Sequence, residues 1–165
     1  MLIDWHVHIN DPKYMGAKWW RNPVPMTVDN ALEAHSLVEL DRTVISNAVH
    51  YIRFCETEKE ALAAIESSNR YLASCRDKYP DKFVNMATCI PNSGDEGLRE
   101  LERAVKEDDA RAVIINSSHE GHYPDEDKAR PFWKLVTDLD IPVFIHPGDA
   151  PASAGRPTIA CRWPG

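Results

Sequence analysis

The sequence contains no long apolar run. Its 165 residues include no window near the roughly 18 consecutive apolar residues that a membrane-spanning helix needs. The first residues, Met1-Leu2-Ile3-Asp4, also lack the basic segment and apolar stretch of a secretory signal. We therefore expect a cytoplasmic protein with no membrane partner.

Excess positive charge is also lacking. The chain has 19 Lys and Arg residues against 26 Asp and Glu, for a formal net charge of -7. Nucleic acids and anionic lipid surfaces bind basic patches. This balance disfavours both as partners and leaves a small molecule as the expected ligand.

Cysteine is scarce and has no metal-binding spacing. The four cysteines, Cys55, Cys75, Cys89 and Cys161, form no C-x-x-C pair. In a chain of this length, isolated cysteines are more often reduced thiols than parts of a disulfide framework or a zinc ribbon. We expect no disulfides and no cysteine-bound metal.

What the chain does contain is a recurring short apolar run followed by a longer amphipathic one. The apolar runs predict five strands, at residues 2–9, 43–49, 83–90, 112–116 and 142–146. This alternation is typical of a parallel sheet with crossover helices, whether an open doubly wound sheet or a closed barrel. We expect one domain over residues 1–165, in which residues 150–165, with three prolines and two glycines, form an irregular tail.

Four helices are predicted between the strands. The first opens at Thr27, and the second opens at Thr57, with Glu60 completing a capping box and Pro80 ending the helix. The third starts near Ser93, and the fourth carries Pro131 in its first turns. The predicted order is therefore βαβαβαβαβ.

The first strand carries the strongest functional pattern. Side chains alternate between the faces of a strand, so this segment has one polar and one apolar face. The polar positions are Asp4, His6, His8 and Asn10. The apolar positions, expected to pack against helices, are Ile3, Trp5, Val7 and Ile9. An acid and two imidazoles on one face of a core strand need a metal or hydrogen bonds to satisfy them. We therefore predict a metal site here, with a structural polar cluster as the alternative.

A third histidine ends the fifth predicted strand. His146 follows the apolar run Val143-Phe144-Ile145 and precedes Pro147. Parallel α/β folds place their chemistry at the carboxyl ends of strands. Taken alone, His146 could equally be a hydrogen-bonded loop residue. Together with His6 and His8 it supplies a third nitrogen, and three protein ligands plus water is the usual catalytic zinc arrangement.

Several motifs resemble one known family. They are the Asp4-x-His6-x-His8 run, residues 83–91 (FVNMATCIP) and Phe144-Ile145-His146-Pro147. In this order and spacing they are similar to the amidohydrolase superfamily, and within it to the amidohydrolase-2 branch that includes aminocarboxymuconate semialdehyde decarboxylase. The resemblance runs from residue 2 to about residue 150 and corresponds to the N-terminal half of such a protein.

This resemblance implies a parallel (β/α)8 barrel of TIM type, represented here by about its first five strands and four helices. It implies one divalent metal ion, most often zinc, bound by His6, His8 and His146, with Asp4 in the layer behind them. The family adds a catalytic histidine after strand six and a metal-binding aspartate after strand eight. Neither has a counterpart in this sequence, so its catalytic residues are unknown. Some relatives hold two metals that are bridged by a carboxylated lysine at the end of the fourth strand. Here that strand ends in Ile115-Asn116 and has no lysine, which favours a single metal.

Aromatic and cationic side chains near the strand ends are candidates for substrate binding. Trp19, Trp20 and Arg21 follow the first strand, and Arg53 follows the second. They could stack on a planar substrate and pair with its carboxylate; packing at the rim and a solvated arginine are the alternatives. His119, after the fourth strand, is a further candidate, although its spacing to His122 predicts no second metal site.

The predicted function is a metal-dependent enzyme that acts on a small carboxylate-bearing molecule by hydrolysis or by non-oxidative decarboxylation. The alternative is an incomplete half-barrel that serves as a metal-binding or oligomerising module. A five-stranded part of a barrel has exposed edge strands, and another copy of the chain, in a homo-oligomer, could cover them.

Overall fold

The computed structural model describes residues 1–15, 26–47, 52 and 55–147. Five strands and four helices alternate along these residues, as predicted. The strands are β1 (Ile3–His8), β2 (Arg42–Ser46), β3 (Phe83–Thr88), β4 (Ala112–Asn116) and β5 (Val143–His146). The helices are α1 (Val28–Leu37), α2 (Glu58–Lys78), α3 (Gly94–Lys106) and α4 (Arg130–Asp138), and a 3-10 turn at Asp127–Ala129 precedes α4. The predicted tail, residues 150–165, lies outside the described residues.

All five strands are parallel and pair in chain order, β1-β2-β3-β4-β5. The two outermost strands nevertheless meet through their side chains, because the ring nitrogens of His8 on β1 and His146 on β5 are 3.2 Å apart. A flat sheet would hold these strands about 19 Å apart at the usual spacing of about 4.8 Å. The sheet is therefore curled into a half-barrel, which confirms the TIM-type architecture over the open doubly wound sheet.

Alternation along the strands separates two apolar layers. Ile45 and Phe83 pack with Leu72 of α2, while Val113 and Ile115 belong to a cluster that reaches α3 and α4. These residues form the outer layer, beneath the helices. Strand residues of the opposite parity, Val44, Met86, Ala112 and Ile114, share another cluster with the partly buried Phe144. Each fully buried large side chain contributes about 1.5–3 kcal/mol, so the buried clusters on both faces stabilise the sheet.

Helix starts follow the predicted capping residues. At α1 the Thr27 hydroxyl accepts from the Asn30 N–H, and the Asn30 side chain accepts from the Thr27 N–H, so the capping box is complete. At α2 the Thr57 hydroxyl accepts from the Glu60 N–H at 3.1 Å. The predicted return bond differs, because the Glu60 carboxylate accepts from the N–H of Glu56 instead.

The first strand differs from its prediction at its start. Ile3 and Trp5 are 41 % and 47 % exposed rather than packed against helices. Only Val7 and Ile9 join the cluster formed with Ala31 and other residues. The reason is a register shift between Asp4 and Val7, together with the contact of α1 at the C-terminal part of the strand.

Two strands end earlier than predicted, and the end of α1 has a clear cause. β2 ends at Ser46 and β3 at Thr88, whereas the apolar runs continue to residues 49 and 90. α1 ends at Leu37, and Glu39 adopts a left-handed φ of 53° that breaks the helix. Among the described residues, no helix combines the length and apolar character needed to cross a membrane.

Candidate metal centre

Three imidazoles from the two outermost strands converge at the carboxyl end of the half-barrel. The Nε2 atom of His8 lies 3.1 Å from Nε2 of His6 and 3.2 Å from Nε2 of His146. One nitrogen from each of the three residues lies within 4.8 Å of the others. The structure thus brings together the three predicted ligands, although they are separated by up to 140 positions in the sequence.

Local structure explains this convergence. His8 is the register partner of Ser46 at the end of β2, and His146 is the partner of Asn116 at the end of β4. The curled sheet turns both strand ends toward the concave side. The ring of Phe144 lies 4.6 Å from that of His6, centroid to centroid. An apolar ring therefore forms one wall of the cluster.

The geometry of these residues and the inferred proton position of His146 fit a bound cation. Two nitrogens that each lie about 2.1 Å from one ion are separated by about 3.0 Å for a right angle at the ion and about 3.4 Å for a tetrahedral angle. The separations of 3.1 Å and 3.2 Å between His8 Nε2 and the Nε2 atoms of His6 and His146 lie in this interval. His146 Nδ1 lies 2.9 Å from the carbonyl oxygen of Pro147. Since that oxygen can only accept, the ring hydrogen is on Nδ1 and the Nε2 lone pair points into the cluster.

Electrostatics favour a neutral ring at His6. Burial lowers the pKa of His6, the neighbouring His146 lowers it further, and Asp4 opposes both effects. Neutral imidazole is the form that binds a metal. The Asp4 carboxylate accepts from the backbone N–H of His6 at 3.1 Å. Its contact is therefore with the backbone of the metal-site strand, and its assignment to a layer behind the ligands stays a prediction.

Four of the five predicted substrate contacts lie in segments outside the described residues. They are Trp19, Trp20, Arg21 and Arg53. Their proposed roles in stacking and carboxylate binding stay predictions.

The fifth, His119, lies in a hairpin that the sequence analysis did not predict. His119 and His122 exchange two backbone hydrogen bonds of 2.9 Å across Glu120 and Gly121, whose φ values are 51° and 83°. Positive φ at both central residues is the geometry of a type I′ turn. Glycine at the second position is a sequence feature that favours such a turn. The Nδ1 of His122 also lies 2.8 Å from the Glu126 carboxylate. The spacing that looked loose in sequence therefore belongs to an ordered turn.

His119 lines a cleft at the carboxyl ends of β3 and β4. The other lining residues include Ile52, Ile90, Asn92, Asn116 and His122. Burial lowers the pKa of His119, with Glu120 and Glu58 acting in the opposite direction. A neutral imidazole beside the barrel end is compatible with substrate contact, which stays a prediction.

Two buried polar residues, one in contact with the cluster and one just after β1, were missed or given no role. Ser46 is fully buried, and its hydroxyl oxygen lies 3.0 Å from His8 Nδ1. Asn10 is 1 % exposed, and within the described part of the chain neither polar atom of its side chain has a hydrogen-bond partner. The alternation at positions 6, 8 and 10 pointed to Asn10. No sequence pattern marked Ser46, because its importance depends on the pairing of β1 with β2.

Comparison with known proteins assigns the family. The sequence model of the Amidohydrolase family (Amidohydro_2) matches residues 3–164, nearly the whole chain. The chain belongs to the amidohydrolase-2 family. This confirms the resemblance that the strand-one and strand-five motifs indicated.

Similar proteins include decarboxylases. Gamma-resorcylate decarboxylase from Rhizobium radiobacter is 29 % identical over 122 residues, covering 70 % of this chain and 36 % of the relative. A solved 5-carboxyvanillate decarboxylase from Novosphingobium aromaticivorans, with bound manganese and a substituted nitrobenzoic acid, superposes with a TM-score of 0.83 at 19 % identity. This superposition covers 95 % of this chain and 53 % of the solved protein. A 2,6-dihydroxybenzoate decarboxylase complexed with 2,6-dihydroxybenzoate gives 0.79 at 20 % identity, covering 94 % and 53 %.

These alignments define the extent of the similarity. The chain spans about a third of the length of this curated relative, 36 %, and about half of the two solved proteins, 53 %. Because the structural matches are only 19 % and 20 % identical, they establish the shared fold and not a shared substrate.

Proposed function

We propose that this chain forms the metal-binding half of a barrel enzyme that releases carbon dioxide from an aromatic carboxylic acid without an oxidant. The convergence of the three Nε2 atoms of His6, His8 and His146 carries the proposal. The relatives add support, because gamma-resorcylate decarboxylase and the two solved proteins are decarboxylases of aromatic acids by name.

One divalent ion is the proposed cofactor, and His6, His8 and His146 are its proposed ligands. When bound, such an ion supplies positive charge that holds and polarises an oxygen substituent of the substrate. Imidazole ligands suit zinc, the ion that the sequence pattern favours, whereas manganese is the ion bound in the similar 5-carboxyvanillate decarboxylase. The identity of the ion is therefore part of the experiment.

The residues of the chain have two proposed tasks at this site. The three imidazoles direct an Nε2 lone pair toward one point, and for His146 the Nδ1 contact with the Pro147 carbonyl oxygen supports this orientation. The Phe144 ring beside His6 offers an apolar surface against which a planar acid can lie. In the reaction, the bond between the carboxyl carbon and the ring carbon breaks. Its electron pair stays on the ring carbon, which takes up a proton, and carbon dioxide leaves.

Metal binding is the first test. The chelator-treated chain should bind one equivalent of Mn²⁺ or Zn²⁺ in calorimetric titrations, and His146→Gln should weaken binding at least tenfold, because one ligand is lost. His122→Gln is the matched control, since that imidazole is bonded to Glu126 and is not part of the three-histidine cluster. Binding that His146→Gln leaves unchanged, or no binding at all, would contradict the proposal.

Turnover is the second test. The metal-loaded chain is incubated with 2,6-dihydroxybenzoate, and released carbon dioxide is measured together with the loss of the acid. We expect release that disappears in His146→Gln. Hydrolysis of a test amide or ester without carbon dioxide release would favour the hydrolytic alternative and reject decarboxylation.

A second candidate is a metal-binding module without turnover. It requires only the three-histidine cluster, which the described residues contain. Stoichiometric metal binding that depends on His146, combined with no reaction of any tested acid, amide or ester, would select this candidate.

A further inference from the structure

Ser46 occupies a singular place beside the histidine cluster. It is the last residue of β2, is fully buried, and is the register partner of His8. Its hydroxyl oxygen lies 3.0 Å from His8 Nδ1 and 3.2 Å from the carbonyl oxygen of Val7. Two neighbouring groups on β1 therefore share one hydroxyl group.

The single hydroxyl hydrogen determines what each partner does. The Val7 carbonyl oxygen can only accept, so a hydrogen bond at this contact uses the hydroxyl hydrogen of Ser46. The Ser46 oxygen is then left to accept from His8, which requires the ring hydrogen on Nδ1. The Nε2 atom of His8, the one that faces His6 and His146, consequently keeps its lone pair.

We propose that Ser46 is a positioning residue that holds His8 as the Nδ1–H tautomer and fixes its ring orientation. It acts only through His8 and contacts no substrate. The inference deepens the proposed function, because a ligand histidine whose other nitrogen is held by a hydrogen bond presents a defined lone pair to a metal. His146 receives the same support from the Pro147 carbonyl, so two of the three rings are fixed by a partner on Nδ1.

The other tautomer would place a hydrogen on His8 Nε2, between the other two rings. That hydrogen would occupy the point on which the three nitrogens converge. Alanine at position 46 removes the acceptor for Nδ1–H and so permits both tautomers, whereas threonine restores a hydroxyl at the same backbone position. Thr43 provides the matched control. It lies on the same strand, is 1 % exposed, and its hydroxyl has no hydrogen-bond partner in the described part of the chain.

The first experiment reads the tautomer in the metal-free protein. Histidine labelled with ¹⁵N reports, by long-range proton–nitrogen correlation, which ring nitrogen carries the hydrogen, and the His8 signals are assigned by their loss in His8→Gln. We expect Nδ1–H for His8 in the wild type, Thr43→Val and Ser46→Thr, and a mixture of tautomers in Ser46→Ala. Hydrogen on Nε2 of His8 in the metal-free wild type would overturn the proposal without any variant.

The second experiment measures Mn²⁺ affinity of the same proteins. Loss of a partner behind a ligand histidine typically costs 10–100-fold in metal affinity, so Ser46→Ala should bind about 10–100-fold more weakly, while Ser46→Thr and Thr43→Val stay within about threefold of wild type. Wild-type affinity in Ser46→Ala would also overturn the proposal. Failure of the wild type to bind Mn²⁺ or Zn²⁺ rejects the proposed function instead, and the tautomer measurement still decides the role of Ser46.

Discussion

At the scale of single residues, burial lowers the pKa of His119 in the cleft after β3 and β4. Its ring lies in the cleft at the ends of β3 and β4, and burial is the main cause of its lowered pKa, partly offset by Glu120 and Glu58. In the unfolded chain an ordinary histidine pKa of about 6.5 applies. As the pH falls below that value, the unfolded state takes up a proton before the folded state does.

This difference predicts a pH effect on stability. The stabilising effect of a neutral His119 is complete above about pH 6.5 and is lost as the pH falls through the lowered folded pKa. His119→Gln should therefore lose less free energy of unfolding than the wild type between pH 7.5 and pH 5. Urea denaturation at both pH values provides the comparison. Equal losses in the two proteins would show that His119 is not held neutral by the fold.

At the scale of elements, α3 depends on a close approach between two turns. A Cβ atom at Gly97 would lie 1.8 Å from the Ser93 hydroxyl oxygen and 2.8 Å from Ser93 Cβ. That hydroxyl donates to the Ile90 carbonyl at 2.7 Å and ties the start of α3 to the end of β3. Packing therefore requires glycine at position 97, although glycine in a helix interior normally lowers stability by about 0.5–1 kcal/mol relative to alanine.

We expect Gly97→Ala to lower the free energy of unfolding by about 1–3 kcal/mol, as overpacking does in other cores. The double variant Ser93→Gly/Gly97→Ala removes both contacting atoms and should recover most of this loss relative to Ser93→Gly alone. Urea titrations of the four proteins form a double-mutant cycle. A stabilising Gly97→Ala would mean that helix propensity outweighs the clash.

At the scale of the whole molecule, the histidine cluster joins the two ends of the strand order. β1 and β5 each have one neighbouring strand among the described residues, and Trp5 and Ile145 on them are 47 % and 50 % exposed. An ion held by His8 and His146 would connect residues that lie 138 positions apart. Binding to the folded state alone stabilises it in proportion to the logarithm of ligand concentration.

Metal should therefore stabilise the half-barrel measurably. At a free Mn²⁺ concentration of about 100 times the dissociation constant, the gain in unfolding free energy should be about 2.7 kcal/mol. Thermal unfolding with Mn²⁺, with a chelator, and for His146→Gln measures this gain. We expect the chelator to abolish it and His146→Gln, with binding at least tenfold weaker, to show a gain of about 1.4 kcal/mol or less. A gain of equal size in His146→Gln would place the stabilising ion elsewhere.

Much of this architecture could be predicted from the sequence. The apolar runs located all five strands and the cap at Thr27 located the start of α1, because burial and capping leave local patterns. The bounds of β4 were predicted without error, since Ala110 and Ala112 to Ile115 form a sharply limited apolar run. The His6-x-His8 pair and His146 could be identified from the sequence because they also stand in local patterns, at alternate positions of one strand and at the end of another.

Other features depend on contacts between distant segments. The exposure of Ile3 and Trp5 follows from a shift in the pairing of β1 with β2, and the bond between Ser46 and His8 follows from the same pairing. The clash at Gly97 depends on the position of one side chain four residues earlier. The sequence alone determined the elements, their order and the three imidazoles, because these depend on local periodicity and residue chemistry. Only the tertiary structure decided that the three rings meet, because curvature and register come from packing across the whole sheet.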